Sequence, residues 1–320
     1  MATSADVATH AGLSRSTVSQ ILNGREHLFT EDTIARVRAS AAALGYRPSL
    51  AGRTLARGTS DIVITVMSDV TFNPRLRELV DLITEGVAKQ GLTNLIRFAG
   101  SEDALEDAIL GLKPYGLVSL TPLPAAQRER LLKQGVRLVE QSEHVQAEID
   151  RAIGRLQVQH LARAGYTEIA VALPTAAREQ SFAAPREAGV REWARANGLG
   201  VLPTLHIEFE PGRPSAAVRE LPRRSVGLAA YNDEIAVALL GAVLHEGRDV
   251  PGEVGIIGID NSPIARASTP PITTVDYDIA FSAQGIIELL LQNARELPTR
   301  GVQQVEERLR VVQGETTRAS

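Results

Sequence analysis

Between residues 3 and 45 the apolar positions recur at helical spacing in three short runs: Val7, Ala8 and Leu13, then Val18, Ile21 and Leu22, then Ile34, Val37 and Leu44. Each run follows a hydroxyl able to accept a first-turn amide: Thr3 or Ser4, Ser14, and Thr30. Gly12 supplies a turn, Asn23-Gly24 ends the second run, and Gly45 sits where a left-handed stop is favoured. The pattern predicts three helices, through His10, Leu22 and Leu44, around one small core. From Asp61 the period changes. Apolar, β-branched runs at 62–67, 92–98, 116–120, 137–140, 169–173, 226–230 and 254–259 alternate with amphipathic segments at 74–90, 151–164, 186–197, 233–246 and 279–293. Strand and helix in alternation mean βαβ units and parallel sheets, and two such sheets make a bilobed body. The fold class expected is therefore an N-terminal all-α head followed by an α/β body of two parallel-sheet lobes.

Two helices joined by a tight glycine turn form a helix-turn-helix, whose second helix offers its first residues to base edges in the major groove. That helix begins Ser14-Arg15-Ser16-Thr17. Arg15 has the forked donors that suit guanine O6 and N7, Ser16 adapts to several edges, and Gln20 lies one turn on. Thr3, Ser14, Thr17, Ser19 and Asn23 suit phosphate and sugar contacts that set register. A purely structural hairpin with these side chains solvated is the competing interpretation.

Charge sharpens the division. The 320 residues carry a net charge of -4, which taken alone disfavours nucleic acid. Residues 1–58 nevertheless hold seven arginines against four acids, a balance of +3, and the remainder sums to -7. A basic head on an acidic body suits a DNA-reading module attached to a sensor. Hydrophobic residues at 44% and charged residues at 22% are ordinary for a folded chain. No cysteine is present, which removes disulfides, thiolate zinc sites and Cys nucleophiles. No apolar stretch reaches the roughly 18 residues of a membrane span, and the start lacks the basic and apolar regions of a secretory leader, so no membrane partner and a cytoplasmic location are expected.

Catalytic motifs are lacking. There is no GxGxxG, Walker or GxSxG sequence, and His245-Glu246 lacks a second zinc-binding histidine. Gly252, Gly255 and Gly258 read as close packing along a strand. No cofactor, metal or enzymatic activity is expected. An α/β enzyme or a solute-binding protein using the same cleft is the alternative.

The run Asp6-Val-Ala through Gly12-Leu-Ser-Arg-Ser-Thr-Val-Ser-Gln-Ile-Leu-Asn-Gly24, continued by Leu44-Gly-Tyr-Arg-Pro-Ser-Leu-Ala-Gly-Arg-Thr-Leu55, closely resembles the lactose-repressor/galactose-repressor (LacI/GalR) family of transcription regulators. Asn73-Pro74, Arg186 to Trp193, Tyr231-Asn-Asp-Glu234, Val250-Pro251, Gly258-Ile-Asp260 and Pro270 to Val275 continue the resemblance in family order. It implies a repressor that binds a palindromic double-stranded operator as a homodimer. Hinge helices would pair on DNA, with Arg53 nearby and Leu55 wedged into the minor groove. The body would resemble periplasmic binding proteins, holding a small sugar or related polyol between lobes. Gly52 replaces the usual hinge alanine, and Gln20 a frequent arginine.

The resemblance also implies the domain plan: 1–46 head, 47–60 hinge and linker, 61–148 with 278–305 first lobe, 149–277 second lobe, 306–320 tail. Crossovers would fall near 148, 277 and 305. Arg186 matches the arginine that holds effector hydroxyls. Asp260 ends a strand, where a carboxylate can accept two hydroxyl donors. Asn232 and Asp233 follow a strand and open a helix, so Asp233 is either a ligand or a first-turn acid favoured by the helix dipole. Asp69, Phe72, Asn73 and Tyr277 complete the rim, with Phe72 either stacking on a sugar or packing. Leu120, the loop after Met67, and Gln141-Ser142-Glu143 depart from the family pattern, which leaves the effector unnamed. Without leucine heptads near the end, a coiled-coil tetramer is not expected.

Overall fold

The computed structural model describes residues 2–47, 54, 58–67, 74–98, 102–140, 143–175, 179–210, 213–292 and 300–319. In the head, α1 (Ser4–Ala11) opens on a capping box: Thr3 Oγ1 accepts from Asp6 N, and Asp6 accepts from Thr3 N at 2.8 Å. Gly12 turns the chain at φ 63°, a region that favours glycine. Ser14 then caps α2 (Arg15–Leu22), and Thr30 caps α3 (Glu31–Ala43). Val7, Val18, Ile21 and Val37 meet in the buried centre of these helices.

The first lobe is a four-stranded parallel sheet, ordered β2-β1-β3-β4, from β1 (Ile62–Met67), β2 (Thr93–Phe98), β3 (Gly116–Ser119) and β4 (Leu138–Glu140). Its strand alternation is visible in the packing. Val63, Val118 and Val139 face α4 (Pro74–Ala88), whereas Ile64, Leu117 and Leu138 face α5 (Glu102–Leu112) and α6 (Ala125–Lys133). Apolar residues buried on both faces of β1, β3 and β4 explain why these three read as continuous hydrophobic runs.

The second lobe is built from α7 (Glu143–Arg163), β5 (Glu168–Pro174), α8 (Gln180–Ala196), β6 (Gly200–Val201), β7 (Leu205–Ile207), α9 (Arg213–Arg219), β8 (Val226–Ala230), α10 (Asp233–His245), β9 (Val254–Ile259), α11 (Pro263–Ala267) and β10 (Thr273–Asp276). Its sheet runs β10-β9-β8-β5-β6, with β7 beside the far end of β5. The chain then returns to the first lobe as α12 (Ile279–Gln292), packed on α4, before α13 (Arg300–Glu306) meets α7.

Several elements depart from the sequence expectation. α7 begins at Glu143, because Val145, Ile149 and Ile153 extend its apolar stripe; the boundary expected near 148 therefore falls inside a helix. Residues 306–320 were expected as a tail, but within them 310–317 join the second lobe. There β11 (Arg310–Val312) pairs antiparallel with β10, and buried Thr316 accepts from Thr273 N at 2.9 Å while donating to Ile256 O at 2.7 Å. Those hydroxyl bonds leave no apolar period to read. β6, β7 and β10 were likewise too short to show one.

Glycines set the closest approaches. A Cβ on Gly154 of α7 would overlap the carbonyl of Arg186 in α8, and one on Gly189 would overlap the carbonyl of Arg151. Gly255 lies against the Tyr166 ring and Gly258 against the Asp233 carboxylate, the close packing expected of that strand. Gly189→Ala is expected to lower stability by about 1–3 kcal/mol, because two backbones must separate. Gly241→Ala, exposed on α10 with open space around it, should instead add roughly 0.5–1 kcal/mol. Urea denaturation of both variants checks the contrast.

Candidate functional site

The head gathers its polar residues from the starts of α1 and α2. Arg15 is exposed at the first position of α2, and its Nε donates to Ser4 Oγ at 3.2 Å across the turn. Ser16 is exposed and accepts from Gln20 at 3.4 Å. Ser14 and Thr17 share a 2.9 Å hydroxyl contact, and Asn23 donates to Ser19 at 3.2 Å. Thr3 stands exposed at the start of α1. Arg15 and Ser16 therefore sit in the first turn of α2, where both backbone amides and the dipole favour an anion, and Gln20 lies one turn further on the same helix. Arg53 and Leu55 lie outside the described residues, as do Asp69, Phe72 and Asn73 in the body.

Between the lobes opens a cavity of about 520 Å³. Its first-lobe wall is largely apolar, with Leu76, Leu79, Leu120 and Ile286. The second-lobe wall is polar and carries Arg186, Asn232 and Asp260, while Tyr277 lies where β10 leads toward α12. Four of the expected site residues thus converge on one space.

Arg186 is fixed on three sides. Nε donates to Asp150 Oδ1 at 2.6 Å, Nη1 donates to the Tyr231 carbonyl at 2.7 Å, and the guanidinium lies 4.7 Å above the Tyr231 ring. Burial acts to lower the Arg186 pKa, but Asp150, Tyr231 and Asp260 outweigh it and hold the group cationic. Asp150 is fully buried on α7 and also accepts from Gln146 at 2.7 Å. Burial is the largest influence on that carboxyl and pushes it up, against Arg186 and Gln146.

Asp260 follows β9 at φ 106°, a conformation that L residues seldom adopt, and its amide donates to Val275 O at 2.9 Å. Its side chain is buried against the cavity. Burial raises its pKa well above the carboxylate range; Arg186 opposes this, whereas Asp233 and Glu234 reinforce it. Tyr277 lies under the Arg75 guanidinium at 5.0 Å and accepts from Arg75 through its carbonyl at 2.6 Å.

Asp233 does not face the cavity. Fully buried, it accepts from Ser262 N and from Thr274 Oγ1, each at 2.7 Å, in the space that Gly258 leaves open. Its oxygens tie α10 to α11 and β10, a role that neither sequence reading, effector ligand or first-turn acid favoured by the helix dipole, had named. Asn232 caps α10 by accepting from Ile235 N at 3.0 Å and still lines the cavity.

The profile described as bacterial regulatory proteins, lacI family, matches residues 3–49, and that of the periplasmic binding protein-like domain matches residues 158–317. The HTH-type transcriptional regulator GalS of Salmonella typhimurium is 30% identical, with 92% of this chain and 90% of that relative covered. The chain belongs to the LacI/GalR family of transcription regulators. MalR of Streptomyces coelicolor is 27% identical over 92% of this chain and 90% of its own. Among solved structures, the lac repressor dimer bound to operator and the anti-inducer ONPF is similar in fold, with a TM-score of 0.76 at 20% identity over 99% of both chains. A CelR–cellobiose complex has a TM-score of 0.64 at 21% identity over 99% of this chain and 100% of its own.

In and behind this regulator's cleft lie residues that sequence reasoning missed. Asp150 and Gln146 are a helical i, i+4 pair whose partner Arg186 is remote in sequence, so only the fold reveals them. Tyr231 stood in a recognised motif without a role, and Arg75 followed Asn73-Pro74. Among the described residues no acid and histidine cluster could hold a metal, and no helix is long and apolar enough to cross a membrane.

Burial pushes the Asp233 carboxyl up to about 6 from 3.8, against the Thr274 and Ser262 hydrogen bonds. An acid raised in the folded state binds protons more tightly there, so its contribution is complete below the unfolded pKa and is lost as pH rises to about 6. Asp233→Asn cannot ionise and is expected to lack that part of the slope. Urea midpoints of both chains from below pH 3.8 to above pH 6 check this; parallel curves would remove the assignment.

Proposed function

We propose that this regulator is a dimeric, sequence-specific repressor whose hold on a palindromic operator is set by a small sugar-like effector in the interlobe cavity. The observation that carries this reading is the cavity itself: a fixed arginine and a strand-end acid in one lobe face an apolar wall in the other, in a chain that also bears a helix-turn-helix. Such walls hold a small molecule by its hydroxyls and its carbon face together. Arg186, Asn232, Asp260 and Tyr277 are assigned to the effector, with Asp69, Phe72 and Asn73 as further candidates. Arg15, Ser16 and Gln20 are assigned to base edges, and Thr3, Ser14, Thr17, Ser19, Asn23 and Arg53 to the backbone. The curated relatives are named transcriptional regulators, and operator and cellobiose appear with the structural neighbours, which supports the pairing of DNA with a carbohydrate.

Dimerisation has physical support in β2, an edge strand that exposes Leu95, Ile96 and Phe98. Unpaired edges with apolar side chains are liabilities unless another chain covers them. Two heads held at fixed spacing would each read one half-site. Arg75 reaches from the first lobe to Asp276 Oδ1 at 2.5 Å, and Asp276 Oδ2 accepts from Arg310 at 2.6 Å. A change in lobe angle must strain or break that tie, so effector occupancy and hinge spacing become linked equilibria.

The test begins with selection of bound fragments from the source genome, which yields the operator. In mobility-shift titrations Arg15→Ala is expected to lose about 1–3 kcal/mol of discrimination against changed bases. Leu55→Ala should weaken operator binding far more than binding to random DNA. Unchanged discrimination in the first, or equal losses in the second, would overturn the corresponding assignment.

A further inference from the structure

The polar groups in and around the cavity are unequal in how they are satisfied. Arg186 is matched by Asp150, and Arg75 by Asp276. Glu140 accepts from Arg128 and from Leu123 N, and Ser119 donates to Thr121 O at 2.6 Å. Asp260 differs: it is 4% exposed and lines the cavity, yet among the described residues none donates a hydrogen bond to its carboxylate. Arg186 and Arg75 favour its charge, but each is already matched by its own acid, whereas Asp233 and Glu234 disfavour it. A buried carboxylate without donors is costly, and hydroxyls alone would supply hydrogen bonds while leaving the negative field unchanged. A cation would satisfy both, since opposite charges attract strongly where water is excluded.

The opposite wall limits what kind of cation fits. Leu76, Leu79, Leu120 and Ile286 offer carbon rather than oxygen ligands, and among the described residues no cluster of acids and histidines could hold a metal ion. An organic molecule with a charged end and a carbon face meets both walls. We propose that the effector is a protonated amine, an amino sugar or a related amine-bearing polyol, whose nitrogen sits on Asp260 while its carbon face lies against Leu76, Leu79 and Leu120. This rests on the cleft being the effector site and narrows its ligand class.

Calorimetric titration of the full chain with three matched pairs decides it: glucosamine and glucose, galactosamine and galactose, mannosamine and mannose. At least one amine is expected to bind ten-fold or more tightly than its neutral partner, and its affinity should fall as salt is raised. Asp260→Asn should remove that preference while its thermal melt remains cooperative. A neutral sugar that binds as well as its amine overturns the proposal; if Asp260→Ala then abolishes that binding, the cleft reading survives without the amine. Failure of all three amines to bind also overturns it. Should Asp260→Asn not fold, the paired titrations on the wild-type chain still separate amine from neutral sugar.

Discussion

The close approach of α7 and α8 is the constraint on which the cleft depends. Gly154 and Gly189 bring each helix against the carbonyls of the other, nearer than any side chain would permit. That spacing places Arg186 of α8 within 2.6 Å of buried Asp150 on α7. A buried ion pair is stable only with good geometry and with its remaining donors and acceptors filled, and here Gln146 and the Tyr231 carbonyl fill them. Removing one partner from such a pair typically costs about 3–5 kcal/mol, because the other charge is left buried. The guanidinium is therefore oriented before any ligand arrives, so binding need not freeze a long side chain.

The same economy of space operates at Gly258, whose missing side chain makes room for Asp233. Asp233 and Asp260 flank the region where β9 and β10 end, yet they do different work. One has both oxygens engaged by Ser262 and Thr274; the other has a left-handed backbone and a carboxylate facing open space. Position along the sequence does not separate them, since each follows a buried strand. Hydrogen-bond saturation does.

That contrast also shows how far the sequence could be read. Helices of the head were legible nearly to the residue because their signals are local: Thr3, Ser14 and Thr30 cap them, and Gly12 turns the chain. Strands such as β1, β5, β8 and β9 were legible as apolar runs because both their faces are buried. Illegible elements were short or held by polar bonds, such as β6 with two residues and the C-terminal segment pinned by Thr316 and Thr317. In the cleft, Arg186 and Asp260 could be placed by motif and strand end, whereas Asp150 could not. Its importance comes from a partner 36 positions away, and no local pattern records that distance.

The charge division takes on a physical meaning once the two units are seen together. A head of +3 supplies the attraction to phosphate, and a body of -7 opposes nonspecific adhesion along the duplex. Screening weakens both effects within about 8 Å at physiological salt, so neither can transmit a signal from cleft to head. In the proposed function, transmission is then mechanical. The chain passes between lobes where β4 gives way to α7, where β10 gives way to α12, and again between α12 and α13. Arg75, Asp276 and Arg310 join three separate elements at the second of these passages, next to Tyr277 in the cavity wall. Under that proposal, a ligand that moves Tyr277 would disturb the Arg75–Asp276 pair, because Arg75 also donates to the Tyr277 carbonyl, and that coupling would link the cavity to the lobe angle.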